Sequence, residues 1–262
     1  MEHLDPFLVG LLVVVILGGA MINGLIGMGF ALVAVNMMAA ALGTKEGVVV
    51  MSILAPVTAA YQLWLNRGAG AGWRRLQWVV VGALVGSVFG AELLVLLPAW
   101  AISLLLGGFT AQFVVDTARR NRPQMTVSRE RLFGPAAGFV GGATNGALGA
   151  SGPIIGSFLI AIGLRGRDFV FAVSLVFLSQ GLTRMALFQA HGQYTEPLLA
   201  TAAVLLVPAL LGQQVGLLLR GRLDAAMFQK ILLAVLLVSS INLVWRGATG
   251  ALDAARAAWL IG

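Results

Sequence analysis

Long apolar runs, separated by short polar or charged segments, cover nearly all of the 262 residues of this chain. Many runs reach about 18 residues or more, which is long enough for a helix to cross a hydrocarbon core of roughly 30 Å. Their ends predict segments at residues 7–42, 45–66, 75–97, 98–118, 132–164, 168–189, 197–219 and 225–246. The pattern therefore predicts an all-α integral membrane protein.

Two of these segments, the first and the fifth, are too long for one straight crossing. At about 1.5 Å per residue their helices would measure roughly 54 and 50 Å. Each contains a glycine-rich break, MINGLIGMGF at residues 21–30 and ATNGALGASGP at residues 143–153, and glycine interrupts a helix without a steric cost. We expect each to form a broken or re-entrant helical hairpin. Two full crossings in place of the first hairpin would leave the topology unchanged.

The chain also repeats itself. At an offset of 122 residues Asn23 meets Asn145, and at an offset of 126 residues Gly86 meets Gly212. We call residues related in this way repeat partners. Each half would then hold one hairpin and three crossing helices. The expected domains are a first membrane repeat at 1–118, a basic cytoplasmic linker at 119–131 and a second membrane repeat at 132–262.

The positions of Lys and Arg favour returning hairpins. If both broken segments re-enter, only Lys45, Arg246 and Arg256 lie on one face, Arg184 lies inside the membrane, and the other Lys and Arg gather on the opposite face. Positive residues favour the cytoplasmic side, so this arrangement is preferred over eight single crossings. It predicts inverted halves, with both termini outside, in the cell inner (plasma) membrane.

Composition excludes several functions. The net charge of +7 is spread over short loops rather than one patch, which argues against nucleic-acid binding. The chain has no cysteine, and only His3 and His191 offer imidazole, so neither a metal site nor a cofactor is expected. No nucleophile with a base and no deep pair of carboxylates is present, so no enzyme activity is expected. The expected partners are a small anion and the lipid bilayer.

The two breaks predict a binding site. Irregular backbone at membrane depth is tolerated where it is buried in protein or lines a cavity, and a helix that starts there directs free N–H groups at an anion. The alternative is that these glycines only allow close helix packing, as expected for Gly82, Gly86 and Gly90. The candidate substrate-binding residues are Asn23, Gly24, Gly27, Gly29, Thr144, Asn145, Gly146, Gly149, Ser151, Gly152, Gln180 and Arg184.

Arg184 is the charged residue that the orientation leaves inside an apolar run. An ionisable residue within a membrane is a candidate functional residue. Its side chain could alternatively extend to the nearby outer interface, about 7.5 Å from the expected helix end. Gln180 lies one turn earlier, and the repeat partners of Gln180 and Arg184 are Thr58 and Gln62.

The GLIGMGF and GGATNGALGASGPI stretches, with the twofold repeat around a basic loop, resemble the TauE/SafE family of sulfite and organosulfonate exporters. The resemblance covers nearly the whole chain. It implies an inner-membrane protein that moves sulfite, sulfoacetate or a related sulfur anion, commonly outward. The Asn-Gly pairs, Ser151 and the glycine turns carry over. Gly29 stands where the second break has Ser151, so the two halves are expected to contribute unequally.

The first functional hypothesis is a secondary transporter in which one inverted half rocks against the other around an anion held near the midplane. An anion channel and an importer of a different small organic anion are the alternatives, and a structural or assembly protein is a third reading. The sequence leaves the anion, the direction of transport and the coupling ion open. It also leaves the oligomeric state open, with a homodimer as one expectation.

Overall fold

A computed structural model describes residues 6–27, 29–69, 73–119, 127–220 and 225–261. Within these ranges the chain is helical and contains no strand, which confirms the predicted all-α class. The helices are α1 (Pro6–Ile26), α2 (Phe30–Leu42), α3 (Thr44–Leu65), α4 (Trp73–Leu96), α5 (Ala99–Arg119), α6 (Val127–Leu148), α7 (Gly152–Ala161), α8 (Gly166–Ala190), α9 (Glu196–Leu218) and α10 (Ala225–Ile261). By length and composition, five described spans, in α3, α4, α5, α8 and α9, are long and apolar enough to cross a membrane.

Both predicted breaks are present. The first separates α1 from α2 at residues 27–29, and the second separates α6 from α7 at residues 149–151. Gly27, Gly29 and Gly149 have φ angles of 89°, 109° and 75°. Side chains other than glycine rarely adopt this left-handed region, so glycine at these positions allows the helix to stop inside an apolar run.

Two predicted boundaries differ from the structure. The last helix continues to Ile261 instead of ending near residue 246. The predicted segment ends at the charged residue Arg246. In the structure, this side chain donates a hydrogen bond to the Ala40 carbonyl at the end of α2 (3.1 Å), and Gly247 packs on Leu104 of α5. A charge paired in this way does not end a helix. At the predicted linker, α5 ends at Arg119 and α6 begins at Val127, and residues 120–126 lie outside the described ranges.

Helices of the two halves pack in matching pairs. α4 lies along α6 as α9 lies along α1, while α5 packs on α10 and α3 on α8. Repeat partners occupy matching places in these contacts. A Cβ atom on Gly86 would lie 2.0 Å from the Phe139 carbonyl oxygen, and one on Gly212 would lie 2.2 Å from the Leu17 carbonyl oxygen. These glycines therefore serve close helix packing, as expected for this stretch of α4.

The second broken segment turns back on itself. α6 runs parallel to α4, because Gly82 faces Pro135 near the start of both helices and Gly90 faces Ala143 further along both. Past the break, α7 leads to Ile162, whose carbonyl accepts a hydrogen bond from Arg75 near the start of α4 (3.1 Å). α6 and α7 thus form a hairpin whose open end lies beside the start of α4.

The first broken segment also turns back. The end of α1 lies beside the end of α9, where Arg220 donates to the Gly24 carbonyl (3.0 Å). α2 then leads to Thr44, which hydrogen-bonds Ser103 (2.6 Å), and to Lys45, which donates to Val95 at the end of α4 (3.2 Å). The contacts of α1–α2 and α6–α7 favour two hairpins that open toward opposite ends of the helical bundle.

Candidate functional site

The second break surrounds a buried charge. Arg184 of α8 is 0% exposed, and its Nη1 donates to the Asn145 carbonyl oxygen at the end of α6 (2.6 Å). Its Nε and Nη2 atoms have no hydrogen-bond partner, and neither ion pair among the described residues involves it. The side chain therefore points into the protein rather than to an interface. An unpaired guanidinium in such a place strongly favours an anion as a neighbour.

Polar groups of the break lie around Arg184. Ser151 donates from Oγ to Gln180 Oε1 (2.8 Å), and both side chains are buried. Gln180 Nε2 and Asn145 Oδ1 have no partner. A Cβ atom on Gly149 would lie 3.3 Å from Arg184 Nη1, so glycine lets the backbone approach the guanidinium. The structure thus brings together Asn145, Gly149, Ser151, Gln180 and Arg184.

The start of α7 offers one backbone N–H beside this site, that of Gly152, because Pro153 has no N–H and the Ile154 N–H donates to the Ser151 carbonyl (3.1 Å). Ser151 occupies the N-cap position, but its side chain forms no capping hydrogen bond because its hydroxyl is directed at Gln180. The first N–H groups of a helix have no partner within the helix. They carry partial positive charge and are a common binding place for oxyanions.

The first break repeats this construction with a neutral side chain. Gln62 Nε2 donates to the Asn23 carbonyl oxygen (3.1 Å), as its repeat partner Arg184 does to Asn145. The next turn repeats as well, since Gln213 donates to the Thr58 carbonyl (3.1 Å) and Ser87 to the Gln180 carbonyl (3.0 Å). These matches follow the offsets of 122 and 126 residues. The sequence had paired these residues but had not predicted Gln62 as a site residue.

A small cavity of about 20 Å³, which has room for about one water molecule, lies at the first break. Its polar lining comes from Asn23, Thr58, Gln62 and Ser174, and the break glycines Gly27 and Gly29 complete it. A second cavity, of about 10 Å³, shares Gly29, Ala31 and Phe177 with the first and reaches Gly152 and Pro153 at the start of α7. The two cavities are therefore neighbours, and the second one ends at the start of α7.

Three of the predicted site residues lie elsewhere. Gly24 packs against the backbone of α9, and its repeat partner Gly146 packs in the same way against α4. The Thr144 hydroxyl donates to the carbonyls of Val140 and Gly141 in its own helix. These residues face helix contacts, because their side of α1 or α6 is turned toward a neighbouring helix.

Tyr194 lies between α8 and α9, near enough to Arg184 for the two side chains to interact electrostatically. Its hydroxyl donates to Ser52 Oγ (2.5 Å), since the Ser52 hydroxyl itself donates to the Val49 carbonyl (2.6 Å). Burial raises the pKa of Tyr194, and the hydrogen bond with Ser52 and the charge of nearby Arg184 oppose that rise. The phenol is therefore neutral at physiological pH. Sequence reasoning missed this residue, because its contact spans two distant helices.

A family model described as sulfite exporter TauE/SafE matches residues 11–243 of the chain. No curated protein and no solved structure gave a significant match. The matched range runs from α1 into α10 and includes both breaks, Tyr194 and Arg184.

Proposed function

Because the chain belongs to the sulfite exporter TauE/SafE family, we propose that it exports a small sulfur-containing oxyanion by secondary transport. The protein is a multi-pass membrane transporter of this family. Sulfite, sulfoacetate or a related organosulfonate is the proposed substrate, and the cell inner membrane is the proposed location. The anion binds at the break between α6 and α7, on Arg184.

The observation that carries this proposal is the unpaired guanidinium. Burying a charge costs several kcal/mol unless a partner offsets it. Arg184 keeps Nε and Nη2 free, and the oxygens of a sulfite or sulfonate group can accept both of these N–H groups. Ser151, Gln180 and the Gly152 N–H at the start of α7 lie beside the same place. This set of donors suits a tetrahedral or pyramidal oxyanion.

The arrangement of the hairpins supports alternating access. We propose that the two halves are inverted in the membrane, with the cation-rich face in the cytoplasm and both termini outside. The opposed hairpin ends and the matched helix pairs support this reading. Irregular segments in such repeats are a common place for substrate in secondary transporters.

Flux through liposomes tests the proposal. Purified protein should carry labelled sulfite or sulfoacetate, the flux should saturate, and unlabelled anion on the opposite side should accelerate it. Through a channel, the flux would not saturate in this way, and unlabelled anion on the opposite side would not accelerate it. Arg184→Gln should lower the flux by about 100-fold or more, the effect of losing two charge-assisted hydrogen bonds.

A matched control comes from Arg256, an exposed arginine on α10 that lies 3.8 Å from Asp253. Arg256→Gln should leave the flux unchanged. The proposal is overturned if the wild-type protein carries neither anion, or if the Arg184 and Arg256 variants behave alike.

A further inference from the structure

The cavity at the first break has the construction of the Arg184 site without its charge. Gln62 and Arg184 donate to the carbonyls of repeat partners, Asn23 and Asn145, and each break is followed by the start of a helix. α2 begins at Phe30, and Gly29 at its N-cap provides no side-chain hydrogen bond. Its first intrahelical hydrogen bond is donated by Val33 to the Gly29 carbonyl (3.3 Å), so the N–H groups that precede Val33 are available to a ligand.

Gln62 itself indicates a ligand. Its side chain lines the cavity and is 1% exposed, and its Oε1 is buried without a hydrogen-bond partner. The amide orientation is fixed, because Nε2 donates to the Asn23 carbonyl. Buried polar groups in native proteins are nearly always hydrogen-bonded, so a ligand that donates a hydrogen bond to this oxygen is expected. An anion that also carries an O–H or N–H group satisfies both Gln62 and the helix start.

The two breaks lie at different depths. Ser174 lines the first cavity, and Arg184 follows ten residues later on the same helix, which is a rise of about 15 Å. Gln62 lies near the end of α3, and Arg184 lies near the end of α8 beside the segment that holds Tyr194. Because the end of α3 and the end of α8 lie at opposite ends of the helical bundle, the two sites do as well. Phe177, which lines both cavities, lies between them.

The two sites also differ in what surrounds their equivalent serines. Ser52 beside the Arg184 site is hydrogen-bonded to Tyr194, whereas its repeat partner Ser174 lines the first cavity. Counting back from Tyr194 by 126 or 122 residues leads to Gly68 or Gly72, so the first half offers no phenol at this point. The phenol beside Arg184 therefore has no counterpart at the aligned sequence positions of the first half.

We propose that Asn23, Gln62 and Ser174 form a second, uncharged binding station for the transported oxyanion, at the opposite end of the helical bundle from Arg184. This inference rests on the proposed function. Its preferred ligand is an oxyanion that bears a hydrogen-bond donor, such as hydrogen sulfite or a hydroxyl- or amino-substituted sulfonate. Without a full charge the station binds weakly, so it exchanges anion with the adjoining aqueous phase.

The test uses alkylation of a single thiol. The chain contains no cysteine, so Ser174→Cys introduces the one thiol of the protein, inside the first cavity. N-ethylmaleimide reports its accessibility in purified protein in nanodiscs. The probe ligands are 2-hydroxyethanesulfonate, which carries an O–H donor, and ethanesulfonate, which does not. Sulfonates replace sulfite here because sulfite consumes maleimide.

We expect 2-hydroxyethanesulfonate to slow the alkylation and ethanesulfonate to require an about tenfold higher concentration, the effect of one hydrogen bond. Adding Gln62→Leu should remove this difference between the ligands. Adding Gln62→Arg, which copies the partner position at Arg184, should lower the protecting concentration by about tenfold or more. Adding Arg184→Gln should leave the protection in place.

The inference is overturned if the thiol is not alkylated, if neither sulfonate protects it, if Gln62→Leu and Gln62→Arg leave the protection unchanged, or if Arg184→Gln abolishes it. The last result would assign the protection to binding at the charged site alone. Because alkylation is measured without transport, a failure here is distinct from a failure of the flux experiment on Arg184→Gln.

Discussion

Replacing Arg184 by glutamine separates the charge of this side chain from its structural hydrogen bond. Gln62 shows that a glutamine at the equivalent place reaches the matching carbonyl. The variant therefore keeps a donor for the Asn145 carbonyl while it removes a buried charge that has no carboxylate partner in the described parts of the chain. Since an unpaired buried charge destabilises a fold, we expect the ligand-free variant to be at least as stable as the wild type.

Ligand binding should change in the opposite sense. The free Nε and Nη2 of Arg184 offer two charge-assisted hydrogen bonds, each about 1.5–3 kcal/mol, so their loss weakens anion binding by about two to four orders of magnitude. At an anion concentration of about 100 times the wild-type Kd, the wild type gains about 2.7 kcal/mol. A 100-fold weaker variant gains about 0.4 kcal/mol under the same conditions.

Thermal unfolding in detergent, with and without sulfoacetate, measures both effects. For a chain of this size the wild-type gain corresponds to a rise in Tm of about 5–10 °C. Arg246→Gln is the matched control, because Arg246 also donates to helix-end carbonyls, those of Ala39 and Ala40. It should lower the ligand-free Tm and keep the shift with anion. If Arg184→Gln instead behaves like this control, the guanidinium is structural and the reasoning fails.

Three further outcomes are expected. Gly86→Ala should destabilise the protein by several kcal/mol in unfolding experiments, because its Cβ would lie 2.0 Å from a carbonyl oxygen of α6, whereas Gly108→Ala, with nothing within 4 Å, should be neutral or stabilising. Burial raises the pKa of Tyr194, so the wild type should be more stable than Tyr194→Phe below about pH 10. This difference in stability should disappear as the pH rises through the higher pKa of the folded state. Unfolding midpoints measured at increasing pH can follow the loss. In a cysteine-free background, thiols introduced at Arg67, after α3, and at Arg165, before α8, should react with impermeant reagents from the same side of the membrane. Eight single crossings would place them on opposite sides, so reaction from opposite sides would contradict the returning α6–α7 hairpin.

Much of the fold follows from local features of the sequence. Apolar length predicted the helices, since only a helix satisfies its own backbone in lipid, and glycine marked both breaks because only glycine readily adopts their positive φ angles. The predicted end of α10 was wrong. Arg246 reads as a terminus when its partner is unknown, and its partner is a carbonyl on α2, more than 200 residues away in sequence.

The candidate site was predicted in part, through the repeat. The offset of 122 residues paired Arg184 with Gln62 before their matching hydrogen bonds were visible. It did not distinguish residues that face a neighbouring helix, such as Gly24 and Gly146, from those that face the cavities, because both kinds repeat equally well. Tyr194 carries no repeat signal, and its hydrogen bond to Ser52 depends on how α3 and α8 meet.

The packing of α6 on α4, and of α1 on α9, bears on which helices would move as one unit. Each hairpin begins with a helix whose glycine-mediated seam joins it to the other half of the sequence. Each hairpin therefore packs on the other half of the sequence. If these contacts persist through the proposed transport cycle, the rigid bodies that move are expected to differ from the two sequence halves. If the chain were divided between α5 and α6, each fragment would expose glycine-lined helix surfaces that the other fragment normally covers. The two fragments should therefore form a working transporter only when both are made in the same membrane.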